Sequence, residues 1–171
     1  ALPIYIYEHA ELGNEEYKSS AYLVEQLEKQ GFTITYPYLD IPTAFRAELV
    51  CGEGPKVAFL AEYDALPGYG EDKCQVAHAC GHNWIAASTF GAAISLAHMK
   101  DVISGSIVVI GTPAEETTGG KYDLVERGAF DDIDAAIQMH LGAENNIHVV
   151  TLAMDSLEFN FKGVAAHARS E

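Results

Sequence analysis

Apolar positions recur with a helical period early in the chain. Tyr17, Ala21, Val24 and Leu27 fall on one face and Gly31 is placed to stop the run, so residues 14–30 are predicted to form a helix. Residues 32–38 are β-rich, with Pro37 marking an edge or an end. Residues 45–51 and 56–61 flank Gly52-Glu53-Gly54-Pro55, which reads as a hairpin. The second of these strands is almost wholly apolar, as expected of a strand buried on both faces. Residues 64–80 form the long irregular stretch, with Pro67, Gly68 and Gly70. Residues 83–99 are apolar almost all round and predict a buried helix. Residues 106–112 predict a buried strand stopped by Pro113, residues 122–127 a short helix ended by Gly128, and residues 135–140 a third buried strand. Strand and helix signals alternate, which predicts an α/β layered sheet. Residues 157–162 change character, alternating apolar and polar like a half-exposed antiparallel strand. The predicted organisation is a catalytic-type domain over residues 1–154 and the beginning of a second domain over 155–171.

The chain has 171 residues, 49% hydrophobic and 20% charged. That balance excludes disordered, collagenous and low-complexity classes. No apolar run reaches the roughly 18–20 residues of a membrane span. Ten Lys and Arg against 25 Asp and Glu leave a formal charge of −15. Such a surface repels phosphate backbones and argues against nucleic acid and anionic membranes as partners. It serves either solubility or the attraction of divalent cations. Cys51, Cys74 and Cys80 are an odd, sparse set. They are not a disulfide framework and fit a reducing, cytoplasmic compartment. The first residues lack a basic region and a cleavage pattern, so they do not read as a secretory signal; the sequence does not begin with Met, so a lost leader stays open.

The densest chemical constellation is His78-Ala79-Cys80-Gly81-His82-Asn83. In an extended segment, side chains at i, i+2 and i+4 project to one side. Thiolate and imidazole suit zinc and similar metals. The alternative is a loop with Cys80 buried as a small hydrophobe. Thr112-Pro113-Ala114-Glu115-Glu116 follows directly on a predicted buried strand, and strand C-terminal ends are where open α/β sheets place their sites. Adjacent side chains on extended backbone diverge. One glutamate can therefore bind a metal while the other faces a water as general base. A solvated acidic loop is the plainer alternative. His140 ends another apolar run. A parallel sheet gathers such ends, so the three segments together point to a metal site. Asp64, after the strand 56–61, either orients a ligand imidazole or initiates a turn. His167 says nothing on its own. His9, His98 and His148 read as surface or capping residues, and Asp131-Asp132-Ile133-Asp134 as a solvated turn.

With these residues assembled, the sequence resembles the metal-dependent amidohydrolases related to aminoacylase and carboxypeptidase G. The branch is that of indole-acetyl-amino-acid, hippurate and aminobenzoyl-glutamate hydrolases. The matching blocks, in family order, begin at Glu8-His9-Ala10-Glu11-Leu12-Gly13 and Ala61-Glu62-Tyr63-Asp64-Ala65-Leu66-Pro67-Gly68. They continue through His78-Ala79-Cys80-Gly81-His82-Asn83, Pro113-Ala114-Glu115-Glu116 with Gly119-Gly120, Met139-His140 and Gly163-Val164-Ala165-Ala166-His167-Ala168. The resemblance implies a zinc-peptidase-like catalytic domain, with a mixed, mostly parallel sheet flanked by helices, and an α+β lid domain. It implies two divalent metal ions (zinc, manganese or cobalt) held by Cys80, His82, Glu116 and His140. Glu115 then matches the general base, Asp64 the supporting acid, and His167 a lid histidine that helps bind the substrate or its oxyanion. The implied reaction is hydrolysis of an amide bond in N-acyl amino acids, aminobenzoyl-glutamate-like compounds or dipeptides, by a homodimer joined through the lid. Asn83 stands where much of the branch has Asp, which is more like the aminobenzoyl-glutamate hydrolase and dipeptidase subgroup. Family members run to about twice this length, so the chain reads as incomplete, without most of the lid, the closing part of the catalytic domain and a late histidine. Two rival readings remain: an amidase with Cys80 as nucleophile, activated by His82 or His140, and a non-catalytic metal-binding relative.

Overall fold

The computed structural model describes residues 1–117, 119–147, 157 and 159–164. His167 and the expected boundary at residues 154 and 155 lie outside the described residues. The chain divides into two compact units, Ala1–Leu141 and Gly142–Glu171. Every helix and strand among the described residues belongs to the first. Residues 157 and 159–164, where an alternating strand is predicted, are described without helix or strand.

The chain opens with a helix the pattern did not predict, α1 (Leu2–Glu8), with a proline in its first turn where a missing N–H costs least. The predicted second helix forms as α2 (Tyr17–Lys29). It starts at Tyr17 because the Glu11 carboxylate accepts the N–H groups of Lys18 and Ser19 at 3.0 and 2.9 Å, capping donors that have no partner inside the helix. Leu23 and Leu27 face the core, while Tyr17, expected on that face, is exposed.

The strands are β1 (Thr33–Thr35), β2 (Phe45–Val50), β3 (Lys56–Ala61), β4 (Leu66–Tyr69), β5 (Gln75–Ala77), β6 (Ser106–Gly111) and β7 (Ala135–Ile137). Five form one mixed sheet in the order β1-β2-β6-β3-β7. β1–β2 and β2–β6 are antiparallel, and β6–β3 and β3–β7 are parallel. The predicted hairpin does not form, because β6 lies between β2 and β3. All six residues of β6 are buried, and so apolar a strand gains most from a central position, paired on both edges. Cys51 donates its N–H to Gly105 O at 2.8 Å, and Ser106 donates to Pro55 O at 2.9 Å. The turn that starts β6 thus tucks between the two halves of the expected hairpin. β4 and β5 make a separate antiparallel pair inside the stretch that read as irregular.

Alternation along β6 divides the core in two. Ile107 and Val109 pack with Ile6, Leu23, Leu27, Phe45 and Ala86, while Val108 and Ile110 pack with Ile41, Ala58, Leu60 and Leu124. Helices α1, α2 and α3 (His82–Ala97) therefore cover one face, and α4 (Lys121–Glu126) the other. Two burial expectations are corrected. α3 is not buried all round: Ile85, Ala86, Thr89 and Ala93 face inward, but Trp84 is 57% exposed. Its outer side is mostly Ala, Gly and Ser, which cost little to leave wet. β7 is exposed rather than buried, because it forms a sheet edge paired only with β3. No helix among the described residues is long and apolar enough to cross a membrane.

Candidate metal centre

The site lies at the C-terminal end of β3, where parallel pairing brings the ends of β3, β6 and β7 side by side. Glu62 and Asp64 leave β3 two residues apart and point to the same region. Tyr63 between them points the other way, packing beside Phe45 and donating its hydroxyl to Thr43 O at 2.6 Å. Both carboxylates are 1% exposed.

Opposite them stands His82, the first residue of α3, preceded by Gly81 at φ 80°. That left-handed turn suits glycine and ends the extended run that was expected to align His78, Cys80 and His82. His78 accordingly leaves the cluster and meets Ile6 O at 3.1 Å through Nε2. His82 Nδ1 lies 2.7 Å from Asp64 Oδ1. A carboxylate accepts, so Nδ1 carries the proton and Nε2 is the outward donor atom. Asp64 Oδ2 also accepts the Glu116 N–H at 2.9 Å. Burial pushes the Asp64 carboxyl up, but the His82 and Glu116 hydrogen bonds outweigh it and hold the group low. Burial likewise pushes His82 down, and the Asp64 partner outweighs it, so the imidazole sits above its ordinary value.

Glu115 and Glu116 enter from the loop after β6. Glu16, buried on the far side of that loop, fixes it by accepting the Ala114 N–H at 2.7 Å and the Thr43 hydroxyl at 2.9 Å. The result surrounds His82 Nε2 with carboxylates: Glu62 Oε2 at 3.7 Å, Glu116 Oε1 at 3.8 Å and Glu115 Oε2 at 4.0 Å. His140, just past β7, puts Nε2 3.6 Å from Cys80 Sγ and 3.9 Å from Glu62 Oε2. Its Nδ1 donates to Leu141 O at 2.8 Å, which leaves Nε2 free to accept.

His82 Nε2, Glu62 Oε2 and Glu116 Oε1 are buried without any hydrogen-bond partner. Buried polar atoms without partners are costly. Their separations match what one ion would require: atoms bound tetrahedrally at about 2.0–2.3 Å lie roughly 3.3–3.8 Å apart. The donor atoms of Cys80, His82 and His140 lie within 4.8 Å of one another, as do those of His82, Glu115 and Glu116. His82 belongs to both groups. The residues present therefore fit divalent metal, with mixed S, N and O donors suited to zinc and its neighbours.

The sequence named Cys80, His82, Glu115, Glu116, His140 and Asp64, and the fold brings all six together. It did not anticipate the parts of Glu16, Lys121 and Gln138. Lys121 and Gln138 both donate to Glu62 Oε1, Gln138 at 2.6 Å. Asn83 lies outside the cluster and donates to Pro3 O in α1 at 3.2 Å, a bond an Asp could not make.

Comparison with known proteins agrees with this geometry. The model of peptidase family M20/M25/M40 matches residues 58–165. A mouse Xaa-Arg dipeptidase is 38% identical over 98% of this chain and 40% of its own length. A p-aminobenzoyl-glutamate hydrolase from Escherichia coli is 37% identical over 95% of this chain and 36% of its own length. Among solved structures, a Bacillus subtilis dinuclear metal binding peptidase superposes with a TM-score of 0.73 and 28% identity, covering 81% of this chain and 41% of that one. The chain thus spans about two fifths of the length of the relatives it matches.

Proposed function

Given that the chain belongs to peptidase family M20/M25/M40, we propose that it carries the metal centre and general base of a hydrolase of amide bonds, acting on N-acyl amino acids, aminobenzoyl-glutamate-like compounds or dipeptides. The observation that carries this reading is the convergence of three buried, unpartnered donor atoms, on His82, Glu62 and Glu116, beside Cys80 and His140. Cys80, His82, Glu116 and His140 would hold two divalent ions of the zinc, manganese or cobalt kind. When bound, such ions polarise the amide carbonyl and acidify a water.

The protein's own part falls to residues of distinct exposure. Glu115 is the most open of the four site carboxylates, with its side chain 39% exposed, while Glu62 and Asp64 are sealed and Glu116 is half-buried. It is therefore the one with access to both substrate and solvent. Burial and the neighbouring Glu62 raise its pKa, although Lys121 opposes them. A raised carboxylate is a better proton acceptor. Glu115 takes the proton of the attacking water at Oε2 and delivers it to the departing nitrogen. Asp64 keeps His82 in one tautomer, and Glu16 fixes the loop that presents Glu115. His167 contacts the substrate from the lid, and the lid joins two copies. The substrates are small molecules in the cytoplasm, consistent with a net charge of −15 that repels polyanions.

The structure disfavours Cys80 as nucleophile. Burial first, and then Glu116, Glu115 and Glu62, push its thiol up to about 12. A nucleophilic cysteine needs electropositive surroundings that lower it.

The test is elemental analysis of the purified protein, with chelation and metal add-back assayed on a panel of N-acyl amino acids, aminobenzoyl-glutamate and dipeptides. Two ions per chain, with activity lost on chelation and restored on add-back, are expected. Chelator-resistant activity abolished by thiol alkylation would overturn the reading in favour of Cys80. Glu115→Gln should cut turnover by about 10²–10⁴ while retaining both ions; near-normal turnover would remove Glu115 from the role of base.

A further inference from the structure

Glu62 is the site carboxylate to which the sequence motifs give no part, and its two oxygens have opposite surroundings. Oε1 accepts from Lys121, at the start of α4, and from Gln138, just past β7. Oε2 is buried without a partner and faces two imidazole nitrogens, His82 Nε2 at 3.7 Å and His140 Nε2 at 3.9 Å. The Glu62 side chain is 1% exposed, so water does not solvate that oxygen in bulk.

We propose that Glu62 is a further metal donor of this centre, presenting Oε2 between His82 and His140, with Lys121 and Gln138 as the residues that hold it there. This rests on the metal-dependent reading above and adds to it a donor and its support. Three arguments carry it. First, a buried carboxylate oxygen at the observed distances from two nitrogens pairs with neither as a hydrogen bond, but at those distances it can share a cation with both. Second, Lys121 and Gln138 saturate Oε1 and so fix the carboxylate plane. The side chain cannot turn Oε2 away without breaking two charge-assisted bonds. Third, the charges balance. Glu62, Asp64, Glu115, Glu116 and a Cys80 thiolate are the anions gathered here, and Lys121 with two divalent ions would neutralise them. Without Glu62 as an inward-facing anion, Lys121 would stand as an uncompensated cation close to the metals.

The donors come from separate elements, so the arrangement also has a structural consequence. Glu62 ends β3, Lys121 begins α4 and Gln138 follows β7. Metal bound at Oε2 would therefore tie the sheet edge to the helix on the sheet's second face.

The experiment measures metal affinity directly. The full-length protein, Glu62→Gln, and the double variant Glu62→Gln with Lys121→Gln are titrated with zinc against a chromophoric chelator. Each is then loaded with cobalt(II) for its visible spectrum, and circular dichroism of the metal-free forms checks the fold. The double variant removes both charges of the buried pair together, so no lone charge is left to unfold it. The expected result is a loss of at least about tenfold in the affinity of one ion, with an altered cobalt spectrum, in both variants. Unchanged affinity and spectrum in a variant that folds would overturn the Glu62 proposal and leave the metal-dependent hydrolase standing. A wild-type protein that binds no zinc or cobalt would overturn both.

Discussion

At the scale of single residues, Asp64 is where one atom change should be most telling. It accepts two hydrogen bonds at once, from His82 Nδ1–H and from the Glu116 N–H. An asparagine of the same shape has one acceptor oxygen and an NH2 group, so one of those donors must face another donor. Asp64→Asn should therefore keep the fold and lower metal affinity about 10- to 100-fold, measured by chelator competition on the folded variant. Affinity within twofold of wild type would show that Asp64 is merely packed. The residues that converge on this pair were readable in the sequence for a physical reason. Cys80, His82, Glu115, Glu116 and His140 each follow or precede a strongly apolar element, and a sheet gathers the ends of such elements. His78 misled because Gly81 takes a left-handed turn, and periodicity carries no signal for that. Lys121 and Gln138 were illegible because their partner is Glu62, 59 and 76 positions away. No local pattern encodes such a pairing.

At the scale of elements, the position of β6 decides the fold. Periodicity found β2, β3 and β6 to within a residue or so, yet gave the wrong neighbours. A four-residue Gly-Pro connection suits a hairpin as well as it suits two strands held apart by a third. The turn before β6 is where the difference can be probed. Gly105 has φ 88°, and an added Cβ would lie 2.1 Å from the Pro55 carbonyl oxygen. Backbone cannot swing aside as a side-chain end can. Gly105→Ala should cost about 2 kcal/mol or more from left-handed strain and overpacking together. For a domain of this size that lowers Tm by roughly 4–8 °C, read by thermal melting; an unchanged Tm would mean that the turn relaxes freely.

The acidic segment before β7 is a second element-scale feature that the sequence understated. Far from being a solvated turn, Asp132 pairs with Arg46 at 2.8 Å and Lys56 at 2.9 Å, and Asp134 accepts the Lys56 N–H at 2.8 Å. Arg46, and then Lys56, hold the Asp132 carboxyl well below its ordinary value, and Arg46 outweighs burial to lower Glu48 as well. Both shifts are downward. The stability they contribute is complete above the unfolded carboxylate range near pH 4, and it is lost as pH falls through the lower folded values. Arg46→Met should therefore be less stable than wild type at neutral pH, and the gap should narrow below about pH 4. Urea unfolding of both proteins between pH 7 and pH 2.5 measures it. A gap that is constant across that range would make the contribution one of packing. Asp132 is about half exposed, so the effect belongs with modest, salt-screened pairs.

For the whole molecule, the charge of −15 becomes specific once the fold is known. Part of it is concentrated in four carboxylates around one buried imidazole, two of them almost fully enclosed. Within the site Lys121 is the cation that answers them. Folding without metal must confine those charges in a low-dielectric space, and folding with metal does not. Divalent ions should therefore act on stability as well as on activity. Zinc or manganese at about a thousand times its dissociation constant adds roughly 4 kcal/mol, or roughly 8–16 °C in the Tm of a domain this size. Monovalent salt of matched ionic strength screens surface repulsion but cannot bridge His82, Glu116 and Cys80, so it should give only a small part of that rise. Melting curves in chelator, in chelator plus matched sodium chloride, and with each divalent ion in excess separate the two effects. Equal shifts from sodium and from the divalent ions would reduce the cluster to general charge repulsion. A large shift confined to the divalent ions, and diminished by Glu116→Gln, would tie the stability of the sheet to occupation of the centre at the ends of its strands.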